Sequence, residues 1–536
     1  MRHRPLWILC ALLTASSVHA YSNIKLPTRL AWGVAEHDGT LWVTDAKAAR
    51  LLSIDDAGRV TCEIATGGQG SDSWPRGLCA VGDLLALADA ARRQIAFVNP
   101  QQRSIVRSFP APGPDPQGLT YDEKAGLLWC ADGERRLLYS LNAETGKVVK
   151  EVPAPSLYPR GMTLASGKLW VVDASDLCAY RLDPGTGTVE ASVALPPHWP
   201  CGIIAREGLF RVILADSNML VDAEYMERDG CMLSLPIDAL VTMQCTVTTR
   251  YTRDAPTGAK LYAAVPPSTI RQDTRNITFF PREVTEERDG YGQAAAVWSI
   301  PAIRSGEKFT CGWKARVRLW SARYNLLPSS TTSVQVDPAY LRADRYITTE
   351  APLIRSLEAG LEGLPILDKL LQVRNRIFDR MSYASEGGLD SADEVLQRGT
   401  GSCSEYSFVF AAAARGMGIP VRLAGGTFLP SSRPEAAPTS RRVDTIGHRW
   451  PEVYLEGYGW LPVDANQDDV TDAPYRRRGF LALPSTTLAC VRGPLGEGCI
   501  VGTSYRARLQ RPSGPSYWRH SILHVWELDE LTPWTR

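Results

Sequence analysis

The chain has 536 residues, of which 22% are charged, with 59 Lys and Arg against 58 Asp and Glu. A single hydrophobic core stops growing near about 250 to 300 residues, so this length predicts several domains. The charge balance lacks the basic excess that draws a protein onto phosphates, which argues against nucleic acid as a partner.

The first twenty residues have the pattern of a secretory signal peptide. Arg2 and Arg4 supply the positive start, Leu6 to Thr14 form a short apolar run, and a small-residue cleavage site ends at Ala20. We therefore expect a secreted or periplasmic protein. No later segment reaches the about 20 apolar residues that span a bilayer, so we expect no transmembrane anchor.

Residues 21–240 contain an internal repeat, in which a P-x-G motif precedes an apolar strand that ends in aspartate. The glycines are Gly33, Gly77, Gly118, Gly161 and Gly202, and the aspartates are Asp45, Asp89, Asp132, Asp173 and Asp216. Both series advance in steps of 41 to 44 residues. This period, with short strands between turns, is typical of β-propeller blades and resembles the NHL type. We predict about five blades, with the strand at Ser22 to Leu26 completing the last one.

The repeated aspartates invite two interpretations. An Asp that ends a strand usually accepts hydrogen bonds from a neighbouring turn, whereas a metal or catalytic role would need all of them at one site. Even spacing around a ring favours turn chemistry.

Residues 241–330 show a different all-β pattern and predict a small β-sandwich. Side chains alternate between two faces in the segments from Cys245 to Tyr251 and from Phe309 to Leu319. Cys245 and Cys311 then share the inward face. No motif in this segment indicates a function.

Cys403 lies at the start of a predicted helix. Gly399 and Gly401 provide the turn before the helix, while Gly418 and Pro420 end it. The free N–H groups and the dipole at a helix N-terminus favour a thiolate. The same amides can stabilise an oxyanion, so the pattern indicates a cysteine nucleophile.

His448 and Asp464 supply the two groups that such a nucleophile needs. His448 opens one predicted strand and Asp464 closes the returning strand, with a turn at 456–459. A hairpin brings these ends together, and a separation of sixteen residues is compatible with one face. An imidazole can protonate the leaving group, and a carboxylate can hold that imidazole in one tautomer.

Three motifs together resemble the transglutaminase-like superfamily: G-x-C before a helix that ends in GIPVR, H-x-W-x-E-V-Y, and G-W-x-P-V-D. The resemblance implies an α+β papain-like core (365–470) in a catalytic domain at 345–536, with Cys403 as nucleophile, His448 as general acid and base, and Asp464 as its orienting partner. It implies no metal or cofactor. Pro451 and Ala465 depart from the family pattern, and Pro451 cannot donate a hydrogen bond to a central ladder.

The cysteine count fits export. Twelve cysteines less Cys10 of the signal leave eleven, an odd number that leaves one thiol free, for which Cys403 is the candidate. We expect the disulfides Cys245–Cys311 and Cys490–Cys499. The alternative is that most of these cysteines are buried and unpaired, because free cysteine packs well as a small hydrophobe.

The sequence thus predicts a multidomain protein: an all-β propeller, a small β-sandwich and a transglutaminase-like core. We expect an exported thiol enzyme that forms a thioester at Cys403 and hydrolyses peptide or amide bonds of a protein or peptide substrate. Transamidation, which crosslinks proteins, is the first alternative. A non-catalytic scaffold whose propeller binds a protein or glycan is the second. A lyase site in the propeller lacks a clustered His/Glu set in residues 21–220.

Overall fold

The protein is mostly β, and its strands form several separate sheets. The computed structural model describes residues 23–67, 72–249, 254–325, 336–385, 388–431, 439–467, 479–512, 517–532 and 535. The predicted signal peptide, 1–20, lies outside the described residues. None of the described helices has the length and hydrophobicity of a membrane-crossing segment.

Four blades of the predicted propeller are four-stranded antiparallel sheets whose strands pair in chain order. A short strand, β1 (Ile24–Lys25), precedes them. Blades 1 and 2 consist of β2 (Ala31–His37), β3 (Thr40–Asp45), β4 (Arg50–Ile54), β5 (Val60–Ala65), β6 (Pro75–Val81), β7 (Leu84–Asp89), β8 (Gln94–Asn99) and β9 (Ser104–Pro110). Blades 3 and 4 consist of β10 (Pro116–Asp122), β11 (Leu127–Asp132), β12 (Leu137–Asn142), β13 (Val148–Pro153), β14 (Pro159–Ala165), β15 (Lys168–Asp173), β16 (Cys178–Leu182) and β17 (Val189–Ala194).

Blade 5 closes the ring with a strand from the N-terminus, as predicted. Its strands are β18 (Pro200–Arg206), β19 (Leu209–Leu214) and β20 (Met219–Arg228). β1 pairs with β20 through Ile24 opposite Leu220. The inner strands β2, β6, β10, β14 and β18 contact one another in that order, and β18 returns to β2. The described chain therefore forms a five-bladed ring.

The repeated glycines and aspartates have structural roles in this ring. A Cβ added at Gly77 would collide with the carbonyl oxygen of Gln117 in the next blade, so the inner strands approach too closely for a side chain there. The Asp89 carboxylate accepts the N–H of Trp74 at 3.0 Å, just before the inner strand of the same blade. Asp45, Asp132 and Asp173 accept equivalent bonds. The interpretation as turn chemistry is confirmed for these four aspartates.

The middle segment is built on one long strand that leaves the propeller. β21 (Cys231–Thr249) pairs first with β20 and then along its length with β26 (Lys308–Tyr324). The other strands here are β22 (Lys260–Ala264), β23 (Gln272–Phe280), β24 (Thr285–Arg288) and β25 (Ala294–Ser299). They form two sheets that bury Trp298 and Trp313 between them. The predicted boundary at 240–241 therefore falls inside a continuous strand.

The expected disulfides are not formed. Cys245 lies directly opposite Cys311 in the β21–β26 ladder and the two side chains hydrogen-bond, but both are thiols. Cys490 and Cys499 are also free thiols. Nine of the eleven described cysteines are buried, and several of them pack in apolar clusters. Most of the cysteines are therefore buried and unpaired, as the alternative interpretation held. The prediction of the disulfides Cys245–Cys311 and Cys490–Cys499 was wrong for this structure.

The segment after residue 336 contains the helices and one four-stranded sheet. The helices are α1 (Pro352–Glu358), α2 (Ile366–Phe378), α3 (Ala392–Arg398) and α4 (Cys403–Gly416), with a short 3-10 turn at Pro338–Tyr340. Another 3-10 turn, Ala46–Ala48, lies in blade 1. The strands are β27 (Ser382–Tyr383), β28 (Thr400–Gly401), β29 (Val421–Phe428), β30 (Arg441–Asp444), β31 (His448–Leu455), β32 (Gly459–Pro462), β33 (Ala482–Leu483), β34 (Thr487–Gly493), β35 (Ala507–Gln510) and β36 (Trp518–Leu528). The sheet order is β32-β31-β29-β34, and the nearly fully buried α4 contacts β31 and β29.

The last strands of the chain return to the middle segment. β36 pairs with β21 over eleven residues, from Ala239 opposite Leu528 to Thr249 opposite Trp518. β35 pairs with β22 in the second sheet of the sandwich. The sandwich therefore includes strands from the end of the chain, which the sequence had placed in the segment 345–536.

Candidate active site

The start of α4 is held by a capping box around Cys403. Ser402 is the N-cap, and its side chain accepts the N–H of Glu405. The Glu405 carboxylate accepts the N–H of Ser402 at 2.8 Å and a bond from Arg398 at 2.7 Å. The sequence S-x-x-E before an apolar run is the pattern that forms this cap. It fixes the backbone at Cys403, which is the first helical residue and only 5% exposed.

His448 and Asp464 meet at the other side of the site. His448 is the first residue of β31, and Asp464 follows the neighbouring strand β32. The distance from His448 Nε2 to Asp464 Oδ2 is 2.7 Å. The antiparallel pairing of β31 with β32 brings the end of one strand beside the start of the other, as the hairpin pattern predicted.

The Cys403 thiol hydrogen-bonds to the His448 side chain. Because Nε2 of His448 is bonded to Asp464, Nδ1 is the ring nitrogen left for the thiol. The structure thus brings together all three residues that the sequence singled out, in the order Cys403, His448, Asp464.

Asp464 is itself held in place by neighbouring groups. Its Oδ1 accepts the N–H groups of Asn466 at 3.2 Å and Gln467 at 3.1 Å. Its carbonyl oxygen accepts a bond from Nε of the buried Arg374 at 2.9 Å. These bonds leave Oδ2 directed at His448 and fix the orientation of the imidazole.

The electrostatics favour a charged pair of thiolate and imidazolium. Burial acts to raise the pKa of Cys403, but the hydrogen bond and charge of His448, with smaller effects of Arg449, outweigh it and lower that pKa. Burial acts to lower the pKa of His448, but the charge of Asp464 and its hydrogen bonds to Asp464 and Cys403 raise it well above the ordinary value. The pKa of Asp464 is lowered, since the His448 charge outweighs burial. Both shifts favour the thiolate of Cys403 beside the imidazolium of His448.

The two departures from the family pattern are accommodated. Pro451 lies in the central strand β31, opposite Leu423 of β29. Its carbonyl oxygen accepts the N–H of Val463 at 2.9 Å, so its backbone polar groups face the β32 side. β32 ends at Pro462, so the missing N–H of Pro451 falls just beyond that strand. Ala465 packs in the apolar core of the helical region.

Arg449 is a neighbour of the site that the sequence reasoning missed. Its side chain is 2% exposed, and the guanidinium lies over the rings of Phe408 at 5.3 Å and Tyr505 at 5.0 Å. It donates to the carbonyl oxygen of Thr503, but no described carboxylate pairs with it. Burial lowers its pKa to about 10, while the charge of Cys403 acts in the opposite direction. A charged residue between His448 and Trp450 in a central strand was the signal that could have identified it.

Aromatic side chains surround the three residues. Trp450 is fully buried, and its indole stacks on the His448 ring with centroids 5.8 Å apart. Burial and the charge of Cys403 raise the pKa values of Tyr505 and of Tyr383, which is 47% exposed. Tyr505 also donates to the carbonyl oxygen of Ile446 at 2.9 Å. Tyr383 and Tyr505 come from segments without a recognisable motif, so sequence reasoning did not find them.

The remaining aromatic residues of the motifs are structural. Tyr406 is fully buried beside Phe378, and Trp460 packs against Tyr340 and Tyr454. Among the described residues, no group of three or more His, Cys, Asp and Glu side chains is placed to hold a metal ion.

Comparison with known proteins identifies the region around this site. The model of the transglutaminase-like superfamily matches residues 356–465, which include Cys403, His448 and Asp464. A search of curated proteins found no match.

Several solved structures share parts of the fold. A protein from Cytophaga hutchinsonii described as a candidate cysteine protease is 14% identical, and the match covers 56% of this chain and 94% of that one with a TM-score of 0.40. Glutaminyl cyclase from Myxococcus xanthus is 16% identical over 37% of this chain and 92% of its own, with a TM-score of 0.34. Virginiamycin B lyase from Staphylococcus aureus is 14% identical over 40% of this chain and 94% of its own, with a TM-score of 0.28.

The family match, and not these distant likenesses, carries the assignment. It covers the capped start of α4 and the β31–β32 pair that hold the three candidate residues. The chain therefore contains a transglutaminase-like domain, the domain of a cysteine-based enzyme, at residues 356–465, which follow a five-bladed propeller in the sequence.

Proposed function

We propose that the protein is a thiol enzyme that forms a thioester at Cys403 and hydrolyses a peptide or amide bond. The observation that carries this proposal is the hydrogen-bonded series of Cys403, His448 and Asp464, with the thiol at the N-terminus of α4. In this proposal Cys403 is the nucleophile, His448 the general acid and base, and Asp464 its orienting partner.

The first half of the reaction uses the charged pair. The thiolate of Cys403 attacks the carbonyl carbon, a C–S bond forms, and the carbonyl electrons move onto oxygen. The first N–H groups of α4, including that of Cys403, have no partner within the helix and can donate to this oxyanion. When the C–N bond breaks, the imidazolium of His448 gives its proton to the departing amine.

The second half returns the enzyme to its starting state. Water gives a proton to the now neutral His448 as its oxygen attacks the thioester carbonyl. The C–S bond breaks, the acid product leaves, and the thiolate reforms beside the imidazolium. Asp464 keeps its charge throughout and holds the ring nitrogen Nε2 in its protonated form.

A labelling experiment tests the nucleophile. Iodoacetamide at limiting concentration should modify Cys403 first, and Cys403→Ala should lose this label and peptide hydrolysis together. Cys499→Ala is the matched control, because Cys499 is half-buried and its pKa is raised to about 11, chiefly by burial. Equal labelling of the wild type and Cys403→Ala would refute the proposal.

The same site could pass the acyl group to an amine, which would make the protein a transamidase. The two outcomes differ in product mass when a glutamine-containing peptide is incubated with excess primary amine. We expect cleavage or deamidation to exceed amine incorporation, with Cys403→Ala as the blank. Predominant incorporation would assign transamidation instead.

We also propose that the chain is exported, on the pattern of residues 1–20. N-terminal sequencing of the protein from its native cell should begin at Tyr21, and the protein should be recovered outside the cytoplasmic fraction. Recovery of the full chain from the cytoplasm would contradict export and leave the proposed chemistry untouched.

A further inference from the structure

The middle residues of two P-x-G motifs meet the equivalent residue of Ala31-Trp32-Gly33 at the axis of the propeller. Trp32 stands in blade 1, Arg76 in blade 2 and Arg160 in blade 4. The guanidinium groups of Arg76 and Arg160 each lie 5.2 Å from the centroid of the Trp32 ring. Blades 1 and 4 are not adjacent in the ring of inner strands, so the contact of Arg160 with Trp32 must cross the axis. We call the surface formed by Trp32, Arg76, Gln117 and Arg160 the axial mouth.

The centre of the axial mouth holds two arginines, of which only Arg76 forms an ion pair among the described residues. Arg76 forms an ion pair with Asp115, and Gln117 Nε2 donates to the same carboxylate at 2.6 Å. No hydrogen bond or ion pair joins Arg160 to another described residue, and its guanidinium rests on the face of Trp32. Burial and the charge of Arg76 lower the pKa of Arg160, while the charges of Asp115 and Asp173 act in the opposite direction, as a bound anion would.

Three buried polar atoms at this place lack a hydrogen-bond partner among the described residues. They are two donors, Trp32 Nε1 and Arg76 Nε, and one acceptor, Gln117 Oε1. Gln117 is 0% exposed, and it lines a small axial cavity with Trp32. Buried side-chain polar groups are nearly always paired. Two unpaired donors and one unpaired acceptor in this region therefore suit a ligand that carries both hydrogen-bond acceptors and a donor.

Aromatic residues precede the inner strands of three of the five blades. They are Trp74 in blade 2, Tyr158 in blade 4 and Trp199 in blade 5. Trp199 is 62% exposed and Tyr158 42% exposed, an uncommon state for large aromatic side chains. Exposed tryptophan and tyrosine side chains are enriched at binding surfaces.

We propose that the axial mouth binds the C-terminal carboxylate of a peptide. The carboxylate would accept from Arg160 and the free donors of Arg76 and Trp32, while the last amide N–H would donate to Gln117 Oε1. The neighbouring peptide side chains would contact the aromatic residues. The guanidinium groups of Arg76 and Arg160 already lie over the Trp32 ring, so this ring is unsuited to stacking on a sugar ring. This site is separate from Cys403 and does not depend on its chemistry.

The test uses the full chain with Cys403→Ala, so that no turnover consumes the probe and a failed proposal for the active site does not affect the result. The probe is dansyl-Ala-Ala-Ala with a free carboxylate, and its C-terminal amide is the matched neutral compound. We expect the free acid to bind with at least about tenfold higher affinity than the amide, as measured by fluorescence titration. The affinity should also fall as salt is raised.

Two variants and one control decide the assignment. Arg160→Gln should weaken binding of the acid by at least about tenfold, and Gln117→Leu should weaken it by a smaller factor. Arg103→Gln, at an exposed arginine of blade 2, should bind like the parent chain. Circular dichroism shows whether each variant is folded. If Arg160→Gln is unfolded, the test rests on Gln117→Leu and on the comparison of the free acid with the amide.

Three results would overturn the proposal. Equal affinity for the acid and the amide would remove the carboxylate as the recognised group. Unchanged binding in both variants would place the peptide elsewhere. Binding of glucuronate but not of the tripeptide acid would assign an acidic sugar as the ligand.

Discussion

At the residue scale, the charge state of Cys403 depends on a balance between burial and its neighbours. Burial alone raises the pKa of a thiol, and it does so at Cys490, where the pKa reaches about 12. At Cys403 the imidazolium of His448 reverses this effect. The difference between the two cysteines lies mainly in His448, with smaller effects of Arg449.

The rate of alkylation should report this balance directly. Because the folded pKa of Cys403 is lowered, its thiolate should persist below the ordinary thiol pKa, and the rate with iodoacetamide should fall only at more acidic pH. In His448→Ala, burial is the main effect on the pKa of Cys403. The pH midpoint of alkylation should therefore lie above that of an ordinary thiol. Mass spectrometry of the Cys403 peptide across pH measures both curves. Identical midpoints in the two proteins would show that His448 does not act on the thiol.

Arg449 should act as a positioning residue through its charge. Arg449→Met should move the midpoint of Cys403 alkylation to higher pH, because a nearby cation favours the thiolate. Arg449→Lys keeps the charge and should restore most of the effect. Removal of a buried charge that no described carboxylate pairs should leave the free energy of unfolding unchanged or higher. If both variants lose stability and neither shifts the midpoint, Arg449 has only a packing role.

At the element scale, two helices begin with the same capping box but differ in whether a candidate catalytic residue follows it. α3 begins with the capping box of Ser391 and Glu394, with the Ser391 N–H bonded to Glu394 at 2.9 Å. α4 begins with the equivalent box of Ser402 and Glu405. The cap of α4 lies directly before Cys403, whereas no candidate residue lies at the start of α3.

This pair of helices provides an internal control for the role of the cap. Ser402→Ala and Ser391→Ala should each lower the free energy of unfolding by about 1 kcal/mol, because each removes one N-terminal hydrogen bond. Ser402→Ala should also slow alkylation of Cys403, and Ser391→Ala should not. Denaturant unfolding and labelling rates measure the two effects. Equal labelling rates in both variants would show that the cap of α4 does not affect the reactivity of Cys403.

At the scale of the whole molecule, the end of the chain completes the sandwich. Trp518 and Trp526 of β36 are buried, and Trp526 Nε1 donates to Thr427 Oγ1 of β29 at 3.1 Å. β36 is therefore a strand of the β21 sheet that contacts the sheet holding His448 through this Trp526–Thr427 hydrogen bond. The family match ends at residue 465, well before this strand.

A chain truncated after residue 512 should fail to fold, although it keeps Cys403, His448 and Asp464. It loses an eleven-residue strand and two buried tryptophans, each of which contributes about 3 to 5 kcal/mol, against a net stability of about 5 to 15 kcal/mol. The point variant Trp526→Ala should lower the free energy of unfolding by about 3 to 5 kcal/mol. Soluble yield and limited proteolysis measure the outcome. A soluble, protease-resistant truncated chain would show that the transglutaminase-like region is independent of β36.

Local patterns in the sequence were sufficient for much of this description. The period of 41 to 44 residues predicted the blades, because each blade repeats the same short-range turns and strands. The cap before Cys403 and the hairpin from His448 to Asp464 involve residues close in the chain or joined by one turn, so their geometry follows from nearby residues.

Only the tertiary structure decided the features that join distant segments. The pairing of β36 with β21 links residues almost 300 positions apart, and no local pattern specifies that partner. The same holds for the place of Arg449 beside Cys403 and for the meeting of Trp32 with Arg160 across the propeller axis. The state of Cys245 and Cys311 also depends on packing, because an inward-facing cysteine can pair or can fill the core as a thiol. Periodicity and motifs specify elements and a nucleophile, whereas charge balance and strand partners arise from contacts that form only in the folded chain.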